Sequence, residues 1–276
     1  MSKPTGRARE LGAVLRQRRE AAGISELKLS RMLCVSHGQI CRVEQGIRSI
    51  STENVARCLT LYGVFGEDHD EIMELAKEAN DEYRLQPHND KLPEELRTLI
   101  HCETTASSID AFDPSLIPGM LQTERYARAL FHYTGLISAD GIELRVRARM
   151  DRQQLLRRPD CPQMRFFIHE GALRPHTINA EIMCDQALAL VLATHSERCE
   201  VRIVPDSAGP VGVFGGSFRF MRYDDYLPTV YVENASTSTF LEGAADVRMY
   251  RGIVNRLACV ALSAEESRKK VVDLAN

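Results

Sequence analysis

Between Gly23 and Arg48 the chain reads GISELKLSRMLCVSHGQICRVEQGIR. Its polar residues are of kinds that meet nucleic acid. An Arg such as Arg42 can donate two parallel hydrogen bonds to guanine, and each such pair discriminates between bases by roughly 1–3 kcal/mol. His37 and Gln39 are also able to reach base edges. Ser36, Arg48, Lys28 and, further upstream, Arg16 and Arg18 suit phosphate oxygens, which set register without reading sequence. The plain alternative is that His37 and Gln39 are solvated helix residues.

Other chemistries lack their residues. His169-Glu170 does not continue into an HExxH zinc pattern, because Arg174 stands near the second ligand position. The run GPVGVFGG at 209–216 is neither a P-loop nor a GxGxxG turn. Ser207, His195 and Asp185 have the types of a hydrolase triad, but nothing in the sequence brings them together. No cofactor, no metal and no enzymatic activity are therefore expected. The eight Cys are scattered with no CxxC pair. That points to free thiols in a reducing cytoplasm rather than a disulfide framework or a zinc finger. Cys34, Cys41 and Cys58 invite a redox switch, although apolar packing is the stronger reading for Cys58. No apolar run approaches the length of a membrane span, and MSKPTGRARELG lacks the apolar core of a secretory signal. A cytoplasmic location without a membrane is expected.

The elements that must position these residues are readable from spacing. Leu11, Val14 and Leu15 predict a helix over about 9–22, stopped by Gly23. Residues 1–7 read as a disordered arm, and Arg7 and Arg9 are placed to follow a phosphate backbone. Ser25 caps a second helix with Leu27, Leu29 and Leu33 as its apolar positions. Cys34-Val35 makes the turn. Ser36 caps a third helix, with Ile40 and Val43 inward, and Gly46 ends it. Ser51 or Thr52 opens a fourth, whose core face is Val55, Ala56, Leu59 and Leu61. An acidic fifth holds Ile72, Met73, Leu75 and Ala76. Residues 1–60 carry 11 Lys and Arg against 5 Asp and Glu, whereas the rest carries 24 against 33. A basic head on an acidic body meets a polyanion through the head alone.

From Leu11 to Gly63 the chain resembles the lambda-repressor/Cro-like helix-turn-helix domain, also called the xenobiotic-response-element family. The matching residues are Leu15-Arg16, Arg19 to Ser25, Leu29, Val35-Ser36, Ile40 to Glu44, Gly46, Arg48 and Ser51. The resemblance implies an ion pair between Arg19 and Glu44, structural rather than functional. It also implies that the start of the second helix of the motif enters the major groove, with His37 and Arg42 as readers, Gln39 beside them, and Ser36, Arg48, Lys28, Arg16 and Arg18 on phosphate. Three departures stand out. Glu26 replaces the usual Gln, and phosphate would repel its charge. Ser30 replaces Ala. Cys34 replaces the turn Gly, at a cost of about 1 kcal/mol or more if its φ is positive.

A linker is expected over 81–92, and a second domain over 93–276 mixes helices and strands. Helices are predicted at 93–108, 123–133, 141–158, 180–196 and 240–262, with a last one capped by Ser263-Ala264-Glu265-Glu266. Strands are predicted at 164–169, 200–204, 218–221 and 229–233. The six Arg within 141–158 are expected to make internal ion pairs or face solvent. The phrases IPGMLQTERYARAL, RQQLLRRPDCP, HEGALR, VRIVPDSAG and ALSAEESR resemble an actinobacterial C-terminal domain of unknown function. The tandem resembles the WhiJ-like regulators, also described as antitoxin-like. The fold expected is α+β: an all-α five-helix lambda-repressor-like domain over 1–80, then a mixed α/β domain. The resemblance implies a transcription regulator, a homodimer on double-stranded DNA, whose C-terminal domain senses a ligand or a small partner protein. The alternative is an antitoxin-like protein that mainly sequesters that partner and autoregulates its operon.

Overall fold

The computed structural model describes residues 6–79, 83–87, 93–135, 137–174, 178–234 and 237–275. Five helices come first: α1 (Gly6–Ala21), α2 (Glu26–Leu33), α3 (His37–Glu44), α4 (Thr52–Tyr62) and α5 (Glu67–Glu78). Serines open three of them. The Oγ atoms of Ser25, Ser36 and Ser51 accept from the backbone N–H of Lys28, Gln39 and Asn54 at 3.2, 3.2 and 3.3 Å. Each satisfies a donor that a helix start leaves without an intrahelical partner. Leu11, Leu15, Leu29, Leu33, Ile40, Val43, Val55, Leu59, Ile72 and Ala76 form one buried cluster, and Cys58 packs within it. Leu27 does not join them and is 50 % exposed.

The amino-terminal arm is corrected in part. Residues 1–5 lie outside the described residues, but Gly6 and Arg7 open α1. Arg7 and Arg9, expected along phosphate, are each 4 % exposed and face the C-terminal domain. Within the expected linker, Tyr83–Pro87 form a strand, β1, that pairs antiparallel with β7 (Thr237–Leu241). The other linker residues lie outside the described residues.

Among the described residues the second domain is built on one seven-stranded sheet. Its other strands are β2 (Ser108–Asp113), β3 (Gln163–His169), β4 (Cys199–Val204), β5 (Phe218–Arg222) and β6 (Thr229–Glu233). Their order is β1-β7-β6-β5-β2-β3-β4. β2, β3 and β4 are parallel, and every other pairing is antiparallel. Residues of alternate parity face opposite sides, as the pleat requires. Ile109, Ala111, Met164, Phe166, Ile168, Val201, Ile203, Met221 and Tyr231 face one core. Four helices contribute to that core: α6 (Pro93–Thr105), α7 (Glu124–Thr134), α9 (Ala180–Ala193) and α11 (Ala264–Ala275). α8 (Ala139–Gln153) packs on α7 through Ile142 and Val146. Phe112, Phe167, Val204, Phe218, Phe220 and Val230 face the other side, under α10 (Ala244–Val260). No helix among the described residues is long and apolar enough to cross a membrane.

Besides β1, two strands escaped the sequence pattern. Residues 108–113, expected as a helix end and a break, are β2, the strand between the parallel and antiparallel halves. SIDAFD is buried on both faces with a charged Asp110 inside it, so it lacks the apolar run that marks a strand covered on both sides. The helix expected from 240 starts instead at Ala244, because TSTFL is β7.

The buried carboxylates Asp110 and Glu103 of this domain are answered internally. Asp110, 1 % exposed, accepts from Arg165 Nε at 2.8 Å and from Arg222 Nη1 at 2.7 Å, on the two flanking strands. Of the Arg row at 141–158, Arg152 pairs with Glu103 at 3.2 Å, and Arg149 donates to Gln122 Oε1 at 2.6 Å. Burial brings the Arg149 guanidinium down to about 10. Glu103 is 1 % exposed and also lies 3.6 Å from Arg219. Removing a buried carboxylate strands its cations, which costs about 3–5 kcal/mol. Glu103→Ala should lose that much in urea unfolding of the full chain. Glu181→Ala, whose carboxylate is exposed beside Arg125, should change stability by less than about 0.5 kcal/mol.

Candidate nucleic-acid interface

Helices α2 and α3 form the helix-turn-helix, and the turn is tight because Cys34 adopts φ 57° and ψ 40°. It is the only non-glycine with positive φ among the described residues. Its N–H bonds back to Arg31 O, and the Val35 N–H bonds to Ser30 O. Ile40 and Val43 anchor α3 from below. His37, Arg42 and Arg48 are exposed, Gln39 and Cys41 are half-buried, and all lie on α3 or just beyond it. Ser36 caps α3, and Lys28 is exposed on α2.

The orientation of α3 is set from α1. Arg19 Nε and Nη2 meet Glu44 Oε1 and Oε2 at 2.6 and 2.7 Å, a two-pronged ion pair. Arg19 Nη1 donates to Ile24 O at 2.7 Å, so the guanidinium also holds the loop after α1. The helices cross closely at Gly12. A Cβ there would stand 2.4 Å from Val43 O, so only glycine fits. Gly46 has φ 65°, and a Cβ on it would stand 2.4 Å from Arg9 Cα.

The residues expected on phosphate are not equally free. Arg16 is exposed and pairs with Glu20 at 2.9 Å. Arg18 turns toward α5 and pairs with Asp68 at 2.7 Å. His37 is not alone either. Its Nε2 lies 3.0 Å from Glu26 Oε2 and 3.6 Å from Cys41 Sγ. The Cys41 thiol donates to the same Glu26 oxygen at 2.9 Å. That bond, with the one from His37, holds the Glu26 carboxyl below its usual range, and it holds the Cys41 thiol above its own. Glu26, His37 and Cys41 are the only group of three among the described residues whose ligand atoms converge as a metal site requires. The His37-x-x-x-Cys41 spacing was visible in sequence as one turn of helix. The arrival of Glu26 was not, because it depends on the turn.

A second set of contacts was missed altogether. The start of α1 is bound into the C-terminal domain. Gly6 N donates to both Glu242 carboxylate oxygens, at 2.7 and 2.9 Å. Arg9 Nη2 donates to Thr229 Oγ1 at 3.1 Å and lies 3.6 Å from Glu242. Its guanidinium sits over the Tyr223 ring, 3.8 Å from the centroid, with the Tyr226 ring at 4.8 Å. Tyr226 then donates its hydroxyl to Gln45 O, at the carboxyl end of α3, at 2.6 Å. The turn between β5 and β6 thus touches the end of the helix that carries Arg42. No local sequence signal marks these partners, which lie more than 150 residues apart.

The left-handed turn gives a direct expectation. Glycine avoids the Cβ penalty of this conformation but loses more backbone entropy on folding. The net gain for Cys34→Gly is about 1 kcal/mol or less. Urea unfolding should show a raised midpoint with an unchanged slope.

Comparison with protein families finds two matches. Residues 10–72 match the family model described as a helix-turn-helix domain. Residues 96–272 match the one described as a domain of unknown function (DUF5753). No curated protein matches the chain. The second match spans more than half of the sequence, so the chain belongs to the family of that domain of unknown function (DUF5753), with a helix-turn-helix domain ahead of it.

Proposed function

We propose that this chain is a sequence-specific DNA-binding transcription regulator that acts as a homodimer on a two-fold operator. The observation that carries the reading is the exposed outer side of α3, with Arg42 on it, inside a matched helix-turn-helix domain. Arg42 reads a base edge, Gln39 assists, and Arg48, Lys28 and the Ser36 end of α3 hold phosphate. Arg16 contributes beyond its pair with Glu20, and Arg18 contributes least because Asp68 already answers it. Half-sites lie about 34–36 Å apart, one helical turn.

In this reading the C-terminal domain senses a ligand or small partner protein, as in the antitoxin-like regulators, and passes the signal to α3. Support comes from the Arg9 junction and from the Tyr226–Gln45 bond, which join the sheet to the end of α3. The reading as a regulator rather than an enzyme draws support from the residues a hydrolase would need. His195 Nδ1 is bonded to Val191 O of its own helix at 3.1 Å, and Asp185 pairs with Arg125.

The test starts from an operator selected out of random duplexes. Arg42→Ala should weaken binding to that operator by about 1–3 kcal/mol, with a smaller loss on unrelated duplex. Equal losses on both, read by fluorescence anisotropy at one fixed salt concentration, would reduce Arg42 to a phosphate contact.

A further inference from the structure

Glu26 opens α2, His37 opens α3, and Cys41 follows one turn later on the same side of α3. Their ligand atoms enclose a small triangle. Glu26 Oε2 lies 3.0 Å from His37 Nε2 and 2.9 Å from Cys41 Sγ, and Sγ lies 3.6 Å from Nε2. A tetrahedral ion with bonds of about 2.0–2.2 Å to N and O and about 2.3 Å to S needs ligand separations of about 3.3–3.6 Å. The S···N edge already has that length. The N···O edge is about 0.4 Å shorter and the S···O edge about 0.7 Å shorter, because hydrogen bonds fill the place of an ion, so Glu26 Oε2 must draw back by that much to admit one.

The carboxylate is also oriented from behind. Glu26 Oε1 lies 3.7 Å from Arg19 Nη2, and Glu44 fixes Arg19 in turn. Oε2 is thereby left facing the triangle. Outer contacts of this kind orient metal ligands and contribute to affinity. Among the described residues Glu26 is 34 % exposed and His37 52 % exposed at the side chain, so an ion can enter from solvent.

We propose that Glu26 Oε2, His37 Nε2 and Cys41 Sγ bind a borderline-soft divalent cation of the zinc class on the DNA-facing surface, and that its occupancy strengthens DNA binding. A thiolate, an imidazole and a carboxylate together select such an ion over magnesium or calcium, which take oxygen ligands. Three protein ligands leave the fourth tetrahedral position open to water. Binding is balanced as follows. The Cys41 S–H bond breaks and its proton goes to solvent, the His37 Nε2 proton moves through solvent to Nδ1 as the ring changes tautomer, and the freed sulfur and Nε2 lone pairs go to the ion. The cluster changes from one net negative charge to none. That relieves the repulsion that Glu26 presents to phosphate, and it clamps the start of α3 to the start of α2. His37 is then a ligand rather than a base reader, so Arg42 and Gln39 carry recognition. The ion site stands on its own geometry, whereas its effect on DNA rests on the regulator reading above.

The test uses the full chain, cobalt(II) as the spectroscopic probe, and zinc(II) as the competitor. One cobalt(II) per chain should bind, with tetrahedral d–d bands and a thiolate charge-transfer band that zinc(II) abolishes. Cys41→Ser should remove the charge-transfer band, while Cys34→Ser and Cys259→Ser keep it. His37→Ala should weaken binding by more than the about 10–100-fold that loss of an outer partner costs. Absence of the band in the parent chain, or its survival in Cys41→Ser, overturns the site. Affinity for the selected operator should rise about two- to fivefold with zinc(II) over chelator at low salt, the effect of one surface charge. An unchanged affinity with the metal bound overturns the coupling. If no duplex binds with or without zinc(II) while the Cys41-dependent band is present, the regulator reading fails and the metal site stands.

Discussion

A guanidinium cut off from water must have its charge answered, and Arg19 is such a group, with 7 % of its side chain exposed. Glu44, with 4 % exposed, answers it through two short bonds. Much of the head follows from this pair. It joins α1 to the last residue of α3, so α3 has little freedom to roll, and the side chains on its outer face inherit that precision. The Gly12 contact with Val43 O lets the two helices approach closely enough for the pair to form. The same guanidinium stands behind Glu26 at 3.7 Å, which ties α2 to the arrangement. Removing either member would strand the other as an unpaired buried charge, at a cost of about 3–5 kcal/mol.

Helix α1 belongs to both domains. Its later turns pack in the helical core through Leu11 and Leu15, while its first turns are held by Glu242, Thr229, Thr98 and the two tyrosines of the C-terminal domain. Arg9 is the hinge of that arrangement in a chemical sense. Its backbone touches Gly46 at the end of α3, and its side chain fills an aromatic cage in the other domain. A shift of the sheet relative to the head therefore cannot leave both the Arg9 cage and the Tyr226–Gln45 bond intact. The junction is thus a contiguous set of contacts that runs from the sheet to the end of α3.

What could be read along the chain was what short range decides. Periodic leucines and serine caps located α1 to α4 within a few residues, because a helix start needs a side-chain acceptor three residues before the donor. The strain at Cys34 was legible through the resemblance, in which glycine is usual at that place in the turn, and the left-handed backbone there agrees with it. β3, β4, β5 and β6 were legible from their β-branched and aromatic runs. β2 and β7 were not, as one is covered on both faces yet carries a buried Asp110 in place of an apolar run, and the other is five residues of mostly small polar type.

The sequence by itself determined the helix-turn-helix, the basic side of the molecule, and the residue types available to read DNA. Those depend on spacing of 3–4 residues and on the sign of local charge. Only the tertiary structure decided which of the charged residues are free. Arg7 and Arg9 look like an exposed basic arm in the sequence, yet they are buried against partners at 98, 223, 226, 229 and 242. His37 looks like a free base reader, yet it shares Glu26 with Cys41. In each case the partner is brought in by chain closure over a turn or a whole domain. Local pattern carries no record of which distant group will answer a charge once water has been removed from it.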